Sequence, residues 1–211
     1  MIKSQSNIQP QIVSEFSLPE HQTVKRILQF LKRVLPDFGQ NFRTQKTQIK
    51  LEDDISELLL YYFQAKVREE NLFFSFNARK GVDFRIKVDP FNFGSEPIFI
   101  IEAKRLSKSH SDYVKAKKGG GGIERFKKEQ EGFGKHLYDS SMIGYIQEES
   151  IEYWIQKINA WISESIESDI EITWSEEDKL ISGDPVSNYI SKHERISGSS
   201  IMLYHFWISL N

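Results

Sequence analysis

The chain has 211 residues, is 39% hydrophobic and 13% aromatic, and carries a formal net charge of −2, which predicts a single domain with a sizeable core. It has no cysteine, which excludes disulfides, thiolate catalysis and cysteine-ligated zinc and fits a reducing compartment. No apolar run approaches the roughly 20 residues that span a bilayer, and the first 16 residues lack the apolar segment of a signal peptide, so a cytoplasmic location and no membrane partner are predicted.

The even charge balance hides a strong asymmetry. Residues 103–128 hold nine Lys/Arg against Asp112 and Glu124, a net of +7. Residues 147–180 hold ten acids against Lys157 and Lys179, a net of −8. A local cationic block can hold a polyanion even on a slightly acidic protein; the alternative is a solvated loop.

Residues 1–18 are polar and aperiodic. A helix is predicted from Pro19, with Val24, Ile27, Leu28, Leu31, Val34 and Leu35 on one stripe, stopping near Pro36 and Gly39. Residues 40–50 read as a polar connection. A second helix is predicted over Leu51–Arg68, with Leu51, Ile55, Leu58, Leu59, Tyr62 and Phe63 on its apolar face. Glu52 turns toward that face and Glu57 away from it. Residues 1–48 are therefore taken as an N-terminal extension with one amphipathic helix, and 49–211 as the main domain.

Leu72–Asn77 and Val82–Val88 read as a hairpin, followed by a strand over Ile98–Arg105 that is apolar on both faces until Glu102. After a polar insertion ending in Gly119–Gly122, a third helix is predicted from Ile123 to about Leu137, then a strand at Met142–Ile146 and an amphipathic helix over Ile151–Ile166. Strands are expected at Glu171–Trp174 and Ser200–Leu210. This order predicts an α/β protein with a mixed sheet flanked by helices.

Two stretches carry chemistry: Gly81-Val82-Asp83 and Ile101-Glu102-Ala103-Lys104. On a strand Glu102 and Lys104 project to the same face, with Ala103 opposite. Buried charges are costly unless paired or metal-bound. Two carboxylates and a lysine converging on one part of a sheet suit a divalent-metal site that cuts phosphodiesters. The plainer alternatives are a solvated edge-strand Asp83 and a strand-end Glu102–Lys104 ion pair. The four glycines could let backbone N–H groups approach a phosphate or could form a hinge; without Lys-[Ser/Thr] they are not a nucleotide loop. The five histidines show no metal-ligand spacing, and the four tryptophans read as core.

These motifs and their order resemble the PD-(D/E)XK nuclease superfamily, with its restriction-endonuclease-like fold, and the later segment Gly122-Ile123-Glu124-Arg125-Phe126 followed by Ser141-Met142-Ile143-Gly144-Tyr145-Ile146 resembles a pattern in its bacterial restriction and phage-defence members. Gly81-Val82-Asp83 stands for the first motif, with Val82 in place of the usual proline, and Glu102-Ala103-Lys104 for the second. The resemblance covers about residues 50–165. It implies a DNA endonuclease in which Asp83 and Glu102 hold Mg²⁺, with Mn²⁺ as substitute, and Lys104 assists the attacking water. It also implies an acid on the first core helix, for which Glu52 is the candidate as a third ligand; the alternative is an acid placed to suit the helix dipole. Some members carry a glutamine on the later helix, which points to Gln130; the alternative is a buried amide bonded to backbone. Arg105, Lys115, Lys117, Lys118, Arg125, Lys127 and Lys128 are the candidate DNA contacts. Cutting both strands would need two sites, as in a homodimer. The alternative function is a weak or inactive nuclease-fold module that binds nucleic acid or joins a defence partner.

Overall fold

The computed structural model describes residues 19–45, 49–79, 82–88, 96–108, 111–116, 120–183 and 188–211. A seven-stranded mixed sheet forms its centre, in the order β1-β2-β3-β4-β7-β6-β5. The elements are α1 (Pro19–Thr44), α2 (Glu52–Glu69), β1 (Ser75–Arg79), β2 (Val82–Lys87), β3 (Phe99–Leu106), α3 (Gly122–Lys127), β4 (Asp139–Ile146), α4 (Ile151–Ser168), a 3₁₀ turn at Glu176–Asp178, β5 (Ile181–Ser182), β6 (Tyr189–Glu194) and β7 (Ser200–Ser209). The strands β1, β2 and β3 are antiparallel neighbours, β3, β4 and β7 run parallel, and β7, β6 and β5 return to antiparallel pairing. The α/β prediction with a mixed sheet and flanking helices holds.

Alternation along β3 and β4 divides the interior into two cores. Ile101, Ala103, Ile143 and Tyr145 pack with α1 and α2. Ile100, Leu106, Met142 and Ile146 pack with α3 and α4, including Trp154, Ile158, Trp161 and Ile162. All four tryptophans are buried, as their core assignment required. The helix placed in an N-terminal extension contributes Ile27, Leu31, Val34, Phe38 and Phe42 to the first core.

Several predicted boundaries are corrected. The first helix does not stop at Pro36 or Gly39 but runs through both to Thr44. An internal proline costs about 3 kcal/mol; burial of Phe38 and Phe42 beyond it is of similar size and offsets the loss. Gly39 marks a close approach, since a Cβ there would lie 2.8 Å from Ile208 Cγ2 and 3.1 Å from the Ser209 carbonyl. The first hairpin strand begins at Ser75, because Leu72 is used to close α2: its N–H donates to the Val67 carbonyl after Asn71 turns left-handed at φ 52°.

The third helix ends at Lys127, ten residues short of prediction. Glu129, Gly132 and Gly134 take positive φ (50°, 94° and 56°), which a helix cannot accommodate. The apolar stripe that suggested a longer helix is satisfied by turns, with Phe126 and Phe133 edge-to-face at 5.0 Å. Glu171–Trp174 is not a strand. Asp169 draws that segment into a loop, accepting from the N–H groups of Glu171 and Ile172 and from Trp174 Nε1.

Candidate functional site

The site forms where β2 parts from β3. Their register runs Ile86–Phe99, Arg85–Ile100, Phe84–Ile101 and then ends. One residue further, the Asp83 carboxylate takes the place of a backbone acceptor: its Oδ2 accepts the Ala103 N–H at 2.7 Å. This holds Asp83 close enough to Glu102 for its charge to raise the Glu102 pKa. Glu102 and Lys104 lie on the same face of β3, and the Lys104 ammonium sits 2.8 Å from Glu102 Oε1. The same ammonium donates to the Ala103 carbonyl and to Glu52 Oε1, both at 2.9 Å. Glu52 Oε2 accepts the Arg105 N–H at 2.6 Å, fastening the first turn of α2 to the end of β3. Asp83, Glu102, Lys104 and Glu52 are thus brought together.

Burial dominates the electrostatics. Glu102 is fully buried, and desolvation lifts its pKa to about 7 against the opposing pull of Lys104. Burial also raises Asp83, again opposed by Lys104. Burial pulls the Lys104 pKa down, but Glu102, Glu52 and Asp83 outweigh it, raise the pKa and hold the ammonium charged. Glu102 Oε1 also accepts from Arg125 at 2.7 Å, whereas Glu102 Oε2 is buried without a hydrogen-bond partner. An unpaired buried carboxylate oxygen is expensive. With Asp83 beside it, the donor set is the all-oxygen kind that Mg²⁺ prefers. Among the described residues, no three Asp, Glu or His side chains are disposed around a single point as a metal centre; the Lys104 ammonium stands between Glu102 and Glu52.

The cationic block resolves differently from its reading as a DNA surface. Lys127 is fully buried and bonded to Asp178 at 2.6 Å, so it cannot meet a polyanion; that assignment is corrected. Lys115 pairs with Asp169 at 2.6 Å, Lys108 with Glu149, and Lys128 with Glu124 at 2.9 Å and Glu171 at 3.2 Å. Most described cations of residues 103–128 therefore neutralise the acidic stretch 147–180. Arg105 is half-buried and donates to the Lys50 carbonyl. Together with Glu52, Asp53, Ser107 and Asp112 it lines an open cleft that reaches the cluster at Glu52. Lys117, Lys118, Gly81 and Gly119 lie outside the described residues.

Gln130 follows α3 in a turn, its N–H bonded to the Arg125 carbonyl. No hydrogen bond among the described residues links its amide to Asp83 or Glu102. Gly121 and Gly122 permit close packing rather than phosphate contact. A Cβ on Gly121 would lie 2.4 Å from Lys115 Cα, and one on Gly122 2.3 Å from Met142 Cε. The N–H groups of Gly122, Ile123 and Glu124 are taken by the carbonyls of Asp112, Tyr113 and Val114.

A buried polar chain had no signal in the sequence, because its members come from distant segments. Lys127 and His193 Nδ1 both engage Asp178 Oδ1, at 2.6 and 2.5 Å. His193 Nε2 meets Ser191 Oγ at 2.6 Å, which meets His205 Nε2 at 2.7 Å. His205 Nδ1 meets the Tyr113 hydroxyl at 2.8 Å, to which Trp207 Nε1 donates at 3.1 Å. The Ser191–His193–Asp178 order resembles a hydrolytic triad, but Ser191 and Asp178 are 2% and 1% exposed and both histidines 0%, so no substrate reaches it.

Neither a family model, a curated protein nor a solved structure matches the chain. No helix among the described residues is long and apolar enough to cross a membrane.

Proposed function

We propose that this protein is a Mg²⁺-dependent nuclease that hydrolyses DNA phosphodiesters, built on a restriction-endonuclease-like core and serving restriction or anti-phage defence. The observation that carries this reading is the convergence of Asp83, Glu102 and Lys104 where β2 leaves β3. The order α2, β1–β2 hairpin, antiparallel β3, α3 and parallel β4 supports it.

Bound Mg²⁺ or Mn²⁺ would supply Lewis-acid stabilisation of the charged phosphate and a more acidic water. Asp83 and the unpartnered Glu102 Oε2 are the oxygens that would hold it. Arg125 fixes the other Glu102 oxygen and so orients the carboxylate. Lys104, kept charged by its acidic neighbours, is placed to steady the attacking water or the phosphate. A second copy of the chain would provide the second site for double-strand cutting.

The observation favouring the alternative, a weak or inactive nuclease-fold module that binds nucleic acid or assembles with a defence partner, is that Glu102 is already neutralised by Lys104 and Arg125. Supercoiled and linear DNA incubated with Mg²⁺, Mn²⁺ or EDTA separates the two. Metal-dependent cutting that disappears in Asp83→Ala and Lys104→Ala is the expected result. Folded wild type that retains DNA at low salt without cutting it would leave the module.

A further inference from the structure

The Lys104 ammonium is bonded to three oxygens of different origin: Glu102 Oε1 at 2.8 Å, Glu52 Oε1 at 2.9 Å and the Ala103 carbonyl at 2.9 Å. Carboxylate and carbonyl oxygens converging in this way form a cradle for a hard cation. Glu102, fully buried, keeps a second oxygen with no partner. Glu52 has none to spare: Oε1 is on Lys104 and Oε2 on the Arg105 N–H.

We propose that Lys104 is a tethered competitor of the divalent cation: the ammonium and the metal contend for the Glu102 carboxylate, and Glu52 is the anchor that retains the displaced ammonium rather than a third ligand. The inference rests on the nuclease reading and assigns two of its residues opposite effects on metal affinity. Removing the ammonium improves metal binding although it removes a group needed for cleavage. Neutralising Glu52 removes a nearby negative charge and weakens metal binding, but by less than the loss of a ligand does. A single fixed charge a few ångströms from a cation shifts its affinity by roughly tenfold or more in a partly buried site.

The test is Mn²⁺ binding to the full chain without DNA, read by loss of the free-ion paramagnetic signal and by calorimetry. Wild type, Lys104→Met, Glu52→Gln and Asp83→Asn are compared, each checked for a cooperative thermal transition. Lys104→Gln replaces Lys104→Met if the latter does not fold. Tighter binding by about tenfold on loss of the lysine charge, with Glu52→Gln weaker than wild type but tighter than Asp83→Asn, is the expected pattern. Wild-type binding that Lys104→Met leaves unchanged or weakens overturns the competition and leaves the nuclease reading standing. Loss of Mn²⁺ in Glu52→Gln as severe as in Asp83→Asn overturns the anchor role. Absence of binding in every form overturns the competition and the nuclease reading together.

Discussion

Asp83 and Ala103 are joined by the bond that ends one strand pairing and begins the site. Asp83 Oδ2 accepts the Ala103 N–H at 2.7 Å, one step past the last ladder pair, Phe84 and Ile101. A side-chain oxygen does the work of a backbone carbonyl, so the chain can diverge without leaving a β3 donor unpaired. The position of the carboxylate is therefore set by the sheet itself.

That dual role separates two substitutions. Asp83→Asn keeps an oxygen for the Ala103 N–H and removes a charge that repels Glu102. Asp83→Ala loses the acceptor. Both are expected to abolish cutting, whereas in urea unfolding of the metal-free protein Asp83→Ala loses about 1–2 kcal/mol and Asp83→Asn little. Cutting that survives in Asp83→Asn would remove this residue from the site.

The Lys127–Asp178 pair is buried on both sides, with side-chain exposures of 0% and 1%. Asp178→Ala strands the ammonium and His193 together and should cost about 3–5 kcal/mol. Lys127→Met leaves Asp178 bonded to His193 and to the Ser175 N–H, and fills the space beside Trp174 with an apolar chain. Its cost should be well under half as large. Equal losses in equilibrium unfolding would show that Asp178 is not the hub of the cluster.

The buried histidines should cost the protein stability in mild acid. Burial lowers the pKa of both His193 and His205 below the usual 6.5. Asp178 faces His193 and holds its charge, Lys127 opposes protonation of His193, and His193 opposes that of His205. The unfolded chain therefore takes up protons that the folded chain refuses. Their contribution is complete above about 6.5 and is lost as pH falls toward the folded values. Asp178, held low by His193 and Lys127 against the effect of burial, adds a further loss at lower pH. Glu102, whose pKa burial raises to about 7, contributes with the opposite sign in the same window. The histidines are therefore read by comparison: from pH 7.5 to 5.5 the urea midpoint should fall less, or rise more, in His205→Gln than in wild type. Parallel profiles in the two proteins would contradict this assignment.

Gly121 has its neighbours on the backbone of Lys115 and Ala116, at 2.4 and 2.5 Å from an added Cβ. Backbone cannot rotate aside, so Gly121→Ala should destabilise by about 1–3 kcal/mol. Gly198, with φ +83° and open space around it, should cost about 1 kcal/mol on replacement by alanine, from backbone strain alone. Thermal melts of the two variants give the comparison.

The motifs and the main sheet were legible because alternation and apolar runs are local signals. Val82–Lys87 alternates strictly between buried and half-buried residues, and Glu102 and Lys104 share a face by strand geometry alone. What escaped was non-local. Nothing near Lys127 announces Asp178, 51 residues away, and a run of cations looks the same whether it faces DNA or its own acids. The strands β5 and β6 were also missed. β5 has two exposed residues, and β6 buries Ser191 and His193 where a hydrophobic pattern would place apolar side chains. Conversely, Pro36 and Gly39 gave a correct local signal that tertiary packing overrode.

Translation delivers β7 after every strand it joins. Until it emerges, β4 lacks one edge partner and β6 has no route into the sheet. The Gly39 surface of α1 meanwhile waits for Ile208, 169 positions later in the sequence. Such remote closure slows folding and leaves an unpaired parallel edge open to other chains. On the ribosome, a vulnerable interval therefore lasts until β7 emerges.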